Sequence, residues 1–362
     1  MNISISAPIN NTGYGVASFN IIKALSKNNH ISYFPISNAN VNNQEEHDLV
    51  VSLMKQANDF DINAPFLKIW HQFDLLNHIG KGKYYAFPFF ELDTFNSLEK
   101  KHMSIPDTLL VSSHWAKQVI ANNNITTPVE VVPLGVDASI FNESLYKREN
   151  TDKYTFLNLG KWEIRKGHDI LVSLFKQAFP NEKDVQLILL ASSTTNSYSS
   201  QDEIKQWEKL YEAENIRIVD GVPTHYDVAN LMAQSDCGIF PSRAEGWNLE
   251  LLEMMAMNKP IIATNYSSHT EFCNNDNSYL VNITETEQAY DGKAFVGQGN
   301  WGKISQDQKD QLIEHMRYVY KNRINTNPNG INTAKKLSWE NTASKILGVF
   351  NQQGVLYANS NP

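Results

Sequence analysis

Short apolar runs separated by longer stretches of helical periodicity recur along most of the chain, which is the pattern of an alternating α/β protein. Residues 2–7 (NISISA) alternate as a strand does, and residues 16–27 (VASFNIIKALSK) repeat their apolar positions at helical spacing. Further strands are expected at 31–36, 48–54, 66–70, 83–90, 108–113 and 129–135. Together they make a first domain, placed at residues 1–143.

Residues 144–153 (SLYKRENTDK) are polar without apolar periodicity and read as a linker. A second domain, residues 154–336, then offers strands at 154–160, 185–191, 216–222, 237–242, 260–264 and 279–281. Amphipathic helices are expected at 202–214, 308–322 and 337–351, the last part of a terminal segment 337–353. Residues 287–305 are Gly-rich and read as irregular, and the tail beyond 353 as disordered.

The stretch 236–264, DCGIFPSRAEGWNLELLEMMAMNKPIIAT, holds the chemistry. Strand, loop, helix and strand follow one another, which implies a parallel sheet with the loop at its carboxyl edge, where ligands of open α/β sheets bind. Glu245 lies in the loop; Glu253 lies in the helix between Leu251, Leu252, Met254 and Met255. A carboxylate on so apolar a helix costs free energy unless donors meet it, and either ligand hydroxyls or a buried structural partner would serve. Glu250 needs no ligand, because an acid in a helix's first turn complements the dipole.

These residues resemble a known family. Glu245-Gly246-Trp247-Asn248-Leu249 followed by Glu253 is similar to the E-x7-E motif of the retaining GT-B-fold glycosyltransferases of family four, the glycosyl transferases group 1. The resemblance implies that Glu245 faces the donor sugar, that Glu253 holds the nucleotide ribose, and that the loop amides meet the distal phosphate at a helix amino terminus. Asn248 and Asn258 stand where the family has glycine, and Asn tolerates left-handed backbone better than most residues. The turn GKWEIRKG resembles the family's pyrophosphate clamp, with Lys161 and Lys166 as cations, Lys161 replacing an arginine and Arg165 nearby. Val222 and Pro223 match the site where backbone groups meet the nucleobase. Gly13, Tyr14 and Gly15, between the first strand and first helix, resemble the glycine-rich first loop; by themselves they read equally as a tight turn. His71, after the strand 66–70, stands where related enzymes carry a sugar-facing His, and Glu91 is placed to meet an acceptor. The terminal segment resembles a helix that crosses back to the first domain.

The resemblance implies a GT-B fold, two Rossmann-like domains facing each other across a cleft. It also implies transfer of a hexose-type sugar, with retention, from a nucleoside-diphosphate donor of UDP or GDP type. The catalytic group would be Glu245, Lys166 and His71. No carboxylate set stands at the end of a predicted strand in a metal-binding context, so no metal is expected and no cofactor beyond the donor. The acceptor stays open among glycan, lipid-linked sugar, small molecule, protein and modified base. Rival readings are a nucleotide-sugar epimerase of the same fold and a binding subunit that no longer turns over; a glycan phosphorylase would be much longer.

Length and composition fit this picture. The 362 residues give room for two domains, and the 41% hydrophobic and 19% charged content is that of a globular protein. A net charge of -8 with scattered Lys and Arg weighs against nucleic acid or an anionic membrane as main partner. The start lacks the cationic and apolar regions of a signal peptide and no run reaches membrane-spanning length, so a cytoplasmic protein is expected. Cys237 and Cys273 have neither disulfide-framework nor zinc-site spacing.

Overall fold

A computed structural model describes residues 1–149, 151–191 and 201–358, the side chains of 201–202 and 353–358 excepted. The chain divides into two compact units. The first comprises residues 1–90, 94–135 and the segment from 337 onward; the second comprises 91–93 and 136–336.

The first unit opens with β1 (Asn2–Ala7), α1 (Gly13–Ser26), β2 (His30–Pro35) and α2 (Gln44–Gln56). It continues through β3 (Phe66–Lys68), β4 (Tyr84–Ala86), α3 (Ser97–Met103), β5 (Thr108–Val111), α4 (His114–Asn122) and β6 (Val129–Val131). All six strands are parallel, in the order β2-β1-β3-β4-β5-β6. The chain builds outward from β1 to β2, then crosses to the other side of β1, so the carboxyl ends of β1 and β3 flank the switch point.

The second unit repeats the plan with β7 (Tyr154–Leu159), α5 (His168–Ala178), β8 (Val185–Leu190), α6 (Gln201–Leu210) and β9 (Ile216–Val219). Next come α7 (His225–Ala233), β10 (Cys237–Phe240), α8 (Leu249–Ala256), β11 (Ile261–Asn265) and β12 (Tyr279–Asn282). Its parallel order is β12-β11-β10-β7-β8-β9, which puts the switch between β7 and β10. An antiparallel hairpin of β13 (Thr286–Tyr290) and β14 (Val296–Gly302), then α9 (Gln306–Lys321) and α10 (Pro328–Lys336), complete it. The last helix, α11 (Trp339–Ala358), belongs to the first unit, where it packs on α1 and Thr342 donates its hydroxyl to Pro133 O at 2.8 Å.

Three sequence expectations need correction. Residues 48–54 form no strand; they lie inside α2, whose N-cap Asn43 accepts from Glu46 N and whose buried Val50 and Leu53 stand three apart, a helical spacing. The Gly-rich passage 287–305 is not irregular, since most of it forms the β13–β14 hairpin around a turn with Gly292 at φ +78°. The final helix runs to Ala358, past the end expected at 353, because only Gly354 in that stretch opposes helix; residues 359–362 lie outside the described residues. The segment read as a linker carries contacts of its own, with Arg148 paired to buried Asp236 at 2.6 Å.

Candidate active site

The β7–β10 switch point sets two turns side by side in the second unit. One, residues 160–167, leaves β7 and enters α5; the other, residues 241–248, leaves β10 and enters α8. Glycines allow the approach. A Cβ on Gly167 (φ +81°) would stand 2.3 Å from Pro241 O, and one on Gly160 (φ +146°) 3.2 Å from the Lys166 stem. Arg243 N donates to Arg165 O at 2.7 Å, joining the turns through their backbones.

Across that junction, Glu245 meets both cations. Its carboxylate accepts from Arg165 Nη1 at 2.7 Å and from Ser242 Oγ at 2.8 Å, and lies 3.0 Å from Lys166 Nζ. All three charged side chains are buried. Burial alone would raise the Glu245 carboxyl, but Arg165 and Lys166 outweigh it and hold the group well below the ordinary carboxylate range. Burial pulls the Lys166 ammonium down, yet Glu245 outweighs that and the net direction is upward. Arg165 also donates from Nη1 to Ala244 O at 2.8 Å and from Nη2 to Glu163 at 2.7 Å, so its Nη1 braces the Glu245 loop while Nη2 ties it to its own turn. Lys161, half-buried in the same turn, makes no side-chain hydrogen bond or ion pair with the described residues.

The α8 end presents a different chemistry. Asn248 adopts left-handed backbone (φ 81°), caps Leu251 N at 3.2 Å and donates Nδ2 to His269 Nε2 at 2.9 Å. That bond requires His269 to carry its proton on Nδ1, which donates to Thr264 O at 2.9 Å. Asn258 sits just past the helix at φ 59°, so both asparagines hold the backbone geometry that glycine favours. The amides of Trp247, Asn248, Leu249 and Glu250 donate to no described residue, and the buried Trp247 indole N–H also lacks an acceptor among them. Open amides at a helix amino terminus beside a lysine favour an anion. Glu253, buried, makes no side-chain hydrogen bond or ion pair with described residues; burial pushes its carboxyl well above the ordinary range and Glu250 adds to the shift.

Other expected site residues fall elsewhere. Val222, half-buried, and Pro223, exposed, follow the edge strand β9 ahead of α7, and no side-chain bond ties them to the Lys166–Glu245 group. Glu91 belongs to the second unit, where its carboxyl lies in the field of Arg165, Glu245 and Lys166; burial raises it and Arg165 opposes the rise. Gly13, Tyr14, Gly15 and His71 belong to the first unit and gather at its β1–β3 switch point. The Tyr14 ring lies 4.6 Å from His71 and 4.8 Å from Phe89, and its hydroxyl both donates to and accepts from the Phe89 backbone at 2.8 Å. Gly15 is required by Asn10, whose backbone N would stand 2.3 Å from a Cβ there. Sequence reasoning missed Arg243, Asp169 and the hairpin, described further below. Arg243 was visible only as a neighbour of Glu245, and the Gly-rich hairpin hid its strand alternation.

These paired parallel sheets, each with turns gathered at its switch point, define a class when set beside solved structures. Sucrose-phosphate synthase from Thermosynechococcus elongatus matches with TM-score 0.70 at 13% identity, covering 99% of this chain and 100% of that one. HepE of Anabaena, solved in complex with UDP and glucose, matches with TM-score 0.69 at 13% identity, over 97% and 100%. A glycosyltransferase from Rickettsia africae ESF-5 gives 0.67 at 15% identity, over 97% and 98%. At such identities the likeness speaks to fold, and the fold is the GT-B fold of glycosyltransferases. Residues 153–292, which hold both site turns, match the family glycosyl transferases group 1. No curated protein sequence matches the chain.

Proposed function

We propose that the protein is a retaining glycosyltransferase that moves a hexose-type sugar from a nucleoside-diphosphate donor without a catalytic metal. The observation that carries this reading is Lys166, held on Glu245 at the loop that leads into the amides of residues 247–250; those amides and nearby Glu253 have no partner among the described residues. The amides and Lys166 suit a diphosphate, and Glu253, little more than one helical turn into α8, suits ribose hydroxyls. Breaking the bond from anomeric carbon to phosphate builds negative charge on the leaving diphosphate. Lys166, with Lys161 available beside it, stabilises that charge in place of a metal ion.

Glu245 enters as a carboxylate already matched to Arg165 and Lys166. That supports a role in orienting Lys166 and the sugar rather than in attacking the anomeric carbon. Val222 and Pro223 are proposed to hold the nucleobase. Gly13, Tyr14, Gly15 and His71 are proposed as the sugar-facing residues of the first unit, and Glu91 as an acceptor group. The UDP and UDP-glucose complexes of Anabaena HepE favour UDP over GDP as the donor's nucleotide. No helix among the described residues is long and apolar enough to cross a membrane, and no group of three or more potential metal-ligating side chains occurs among them.

The test is consumption of UDP- and GDP-sugars with chelator present. Release of nucleoside diphosphate at an undiminished rate supports the proposal. Activity abolished by chelator and restored by magnesium or manganese would overturn the metal-independent mechanism, and epimerised donor without transfer would favour the epimerase reading.

A further inference from the structure

Arg243 stands two residues before Glu245, is only 7% exposed, and makes contacts that the sugar-transfer reading does not use. Its Nη1 and Nη2 each donate at 2.8 Å to one oxygen of Asp169, in the first turn of α5. Nη1 also donates to Ile164 O, inside the Lys166 turn. Its Nε lies 3.4 Å from Glu287 Oε1, which also accepts from Trp301 Nε1 at 3.2 Å, and the guanidinium sits 5.8 Å from a Trp301 ring centroid. One side chain thus links the Lys166 turn, the start of α5 and both hairpin strands. A forked, planar donor set is what such a junction requires; an ammonium could satisfy one arm of it.

The backbone tightens the same junction. Gly302 N, at the end of β14, donates to Arg243 O at 2.8 Å, and a Cβ on Gly302 would lie 2.9 Å from that oxygen. Beneath it, Leu92, Ala244, Ala289 and Trp301 form a small core of their own, with Ile164, Tyr266 and Phe295 packed around them. Asp93 accepts from Asn300 N at 2.8 Å and fastens residues 91–93 to β14. The family match ends at residue 292, in the turn of this hairpin, so β14 and Asp93 lie outside the matched range while Arg243, Asp169 and Glu287 lie within it.

We propose that Arg243 is a positioning residue which, buttressed by the β13–β14 hairpin, fixes the distance between Lys166 and the Glu245 loop. Asp169 and Glu287 neutralise its charge locally, so its effect is geometric and adds little field at the leaving group. Arg243 makes no hydrogen bond or ion pair with the α8 amides or Glu253, so nucleotide affinity, which also draws on those groups, falls less than turnover when it is changed. The proposal rests on the nucleotide-sugar reading for its activity readout.

The test compares wild type with Arg243→Lys and Trp301→Phe by three measurements: donor turnover, UDP affinity, and hydrogen exchange of backbone amides. Arg243→Lys is expected to lower turnover at saturating donor roughly tenfold to hundredfold, the cost of an ångström-scale misplacement. UDP affinity should fall by clearly less than turnover while exchange quickens together in residues 163–167 and 243–247. Trp301→Phe, which keeps the packed core, is expected to change all three in the same direction by less. Unchanged turnover per folded molecule, a parallel fall in UDP affinity, or faster exchange confined to the hairpin would each overturn the proposal. Should wild type turn over no nucleotide sugar, the functional reading fails separately, and the exchange result still decides whether Arg243 couples the two turns.

Discussion

Replacing Glu245 by Gln isolates the electrostatic centre of the second unit. The change removes a charge that meets Arg165 at 2.7 Å and Lys166 at 3.0 Å, with all three side chains buried, leaving Lys166 uncompensated and Arg165 paired with Glu163 alone. Breaking one side of a buried ion pair typically costs about 3–5 kcal/mol. The Gln carbonyl can still accept one of the three donors, which places the expected loss at the lower end, about 3 kcal/mol at pH 7. The sign with pH follows from the depressed carboxyl. Its stabilisation is fully present above the unfolded value of about 4.3 and is lost as pH falls below it, so wild type and variant should converge in acid. Urea unfolding reports this through Trp162, Trp207, Trp247 and Trp301 of the second unit, while Trp70, Trp115 and Trp339 report the first. Equal midpoints at pH 7, or a difference that persists undiminished well below pH 4, would refute the assignment of Glu245 as the compensating charge.

Lys166→Ala should lower turnover at saturating donor by roughly 10²–10³, the typical cost of losing one preorganised charge-stabilising donor, beyond any rise in KM; near-normal turnover with weakened donor affinity would show that Lys166 only binds. Glu253→Gln should weaken nucleoside-diphosphate binding about tenfold or more, because charged hydrogen bonds contribute about 1.5–3 kcal/mol each. Since burial raises the Glu253 carboxyl, the same variant should gain stability relative to wild type as pH rises above about 4.3, and denaturation at two pH values checks the sign. His168 is held neutral, its pKa pushed down to about 3 by burial, with Nδ1 accepting from Glu163 N and Nε2 donating to Asn158. The stability advantage of wild type over His168→Gln should therefore shrink by about 2 kcal/mol between pH 7 and pH 5, and an unchanged difference would contradict it.

Much of this was legible in the sequence because buried parallel strands and helix caps write themselves locally. The runs 154–160 and 237–242 contain β7 and β10, the run 260–264 covers β11 except Asn265, and the loop between β10 and α8 was readable from Pro241, Ser242 and the helix formers after Asn248. Asn248 and Asn258 departed from the family's glycines, yet their left-handed angles follow from the one property Asn shares with Gly. Residues 48–54 misled because their Val pair suggests a strand, whereas the cap at Asn43 lies outside the apolar run. The partners of Glu245 were only half visible. Arg165 and Lys166 stand about eighty positions upstream and meet it through strand order, which no local pattern encodes. The hairpin was hidden by Gly292, Gly297, Gly299 and Gly302, which break the alternation by which a strand is recognised.

Binding of nucleoside diphosphate to the wild-type protein tests the central claim most directly, since it needs no knowledge of the acceptor. UDP present at 100 times its dissociation constant should stabilise the second unit by about 2.7 kcal/mol, with the effect sharply reduced in Lys166→Ala and Glu253→Gln. Absence of stabilisation by either UDP or GDP at millimolar concentration, or stabilisation indifferent to both substitutions, would contradict the account.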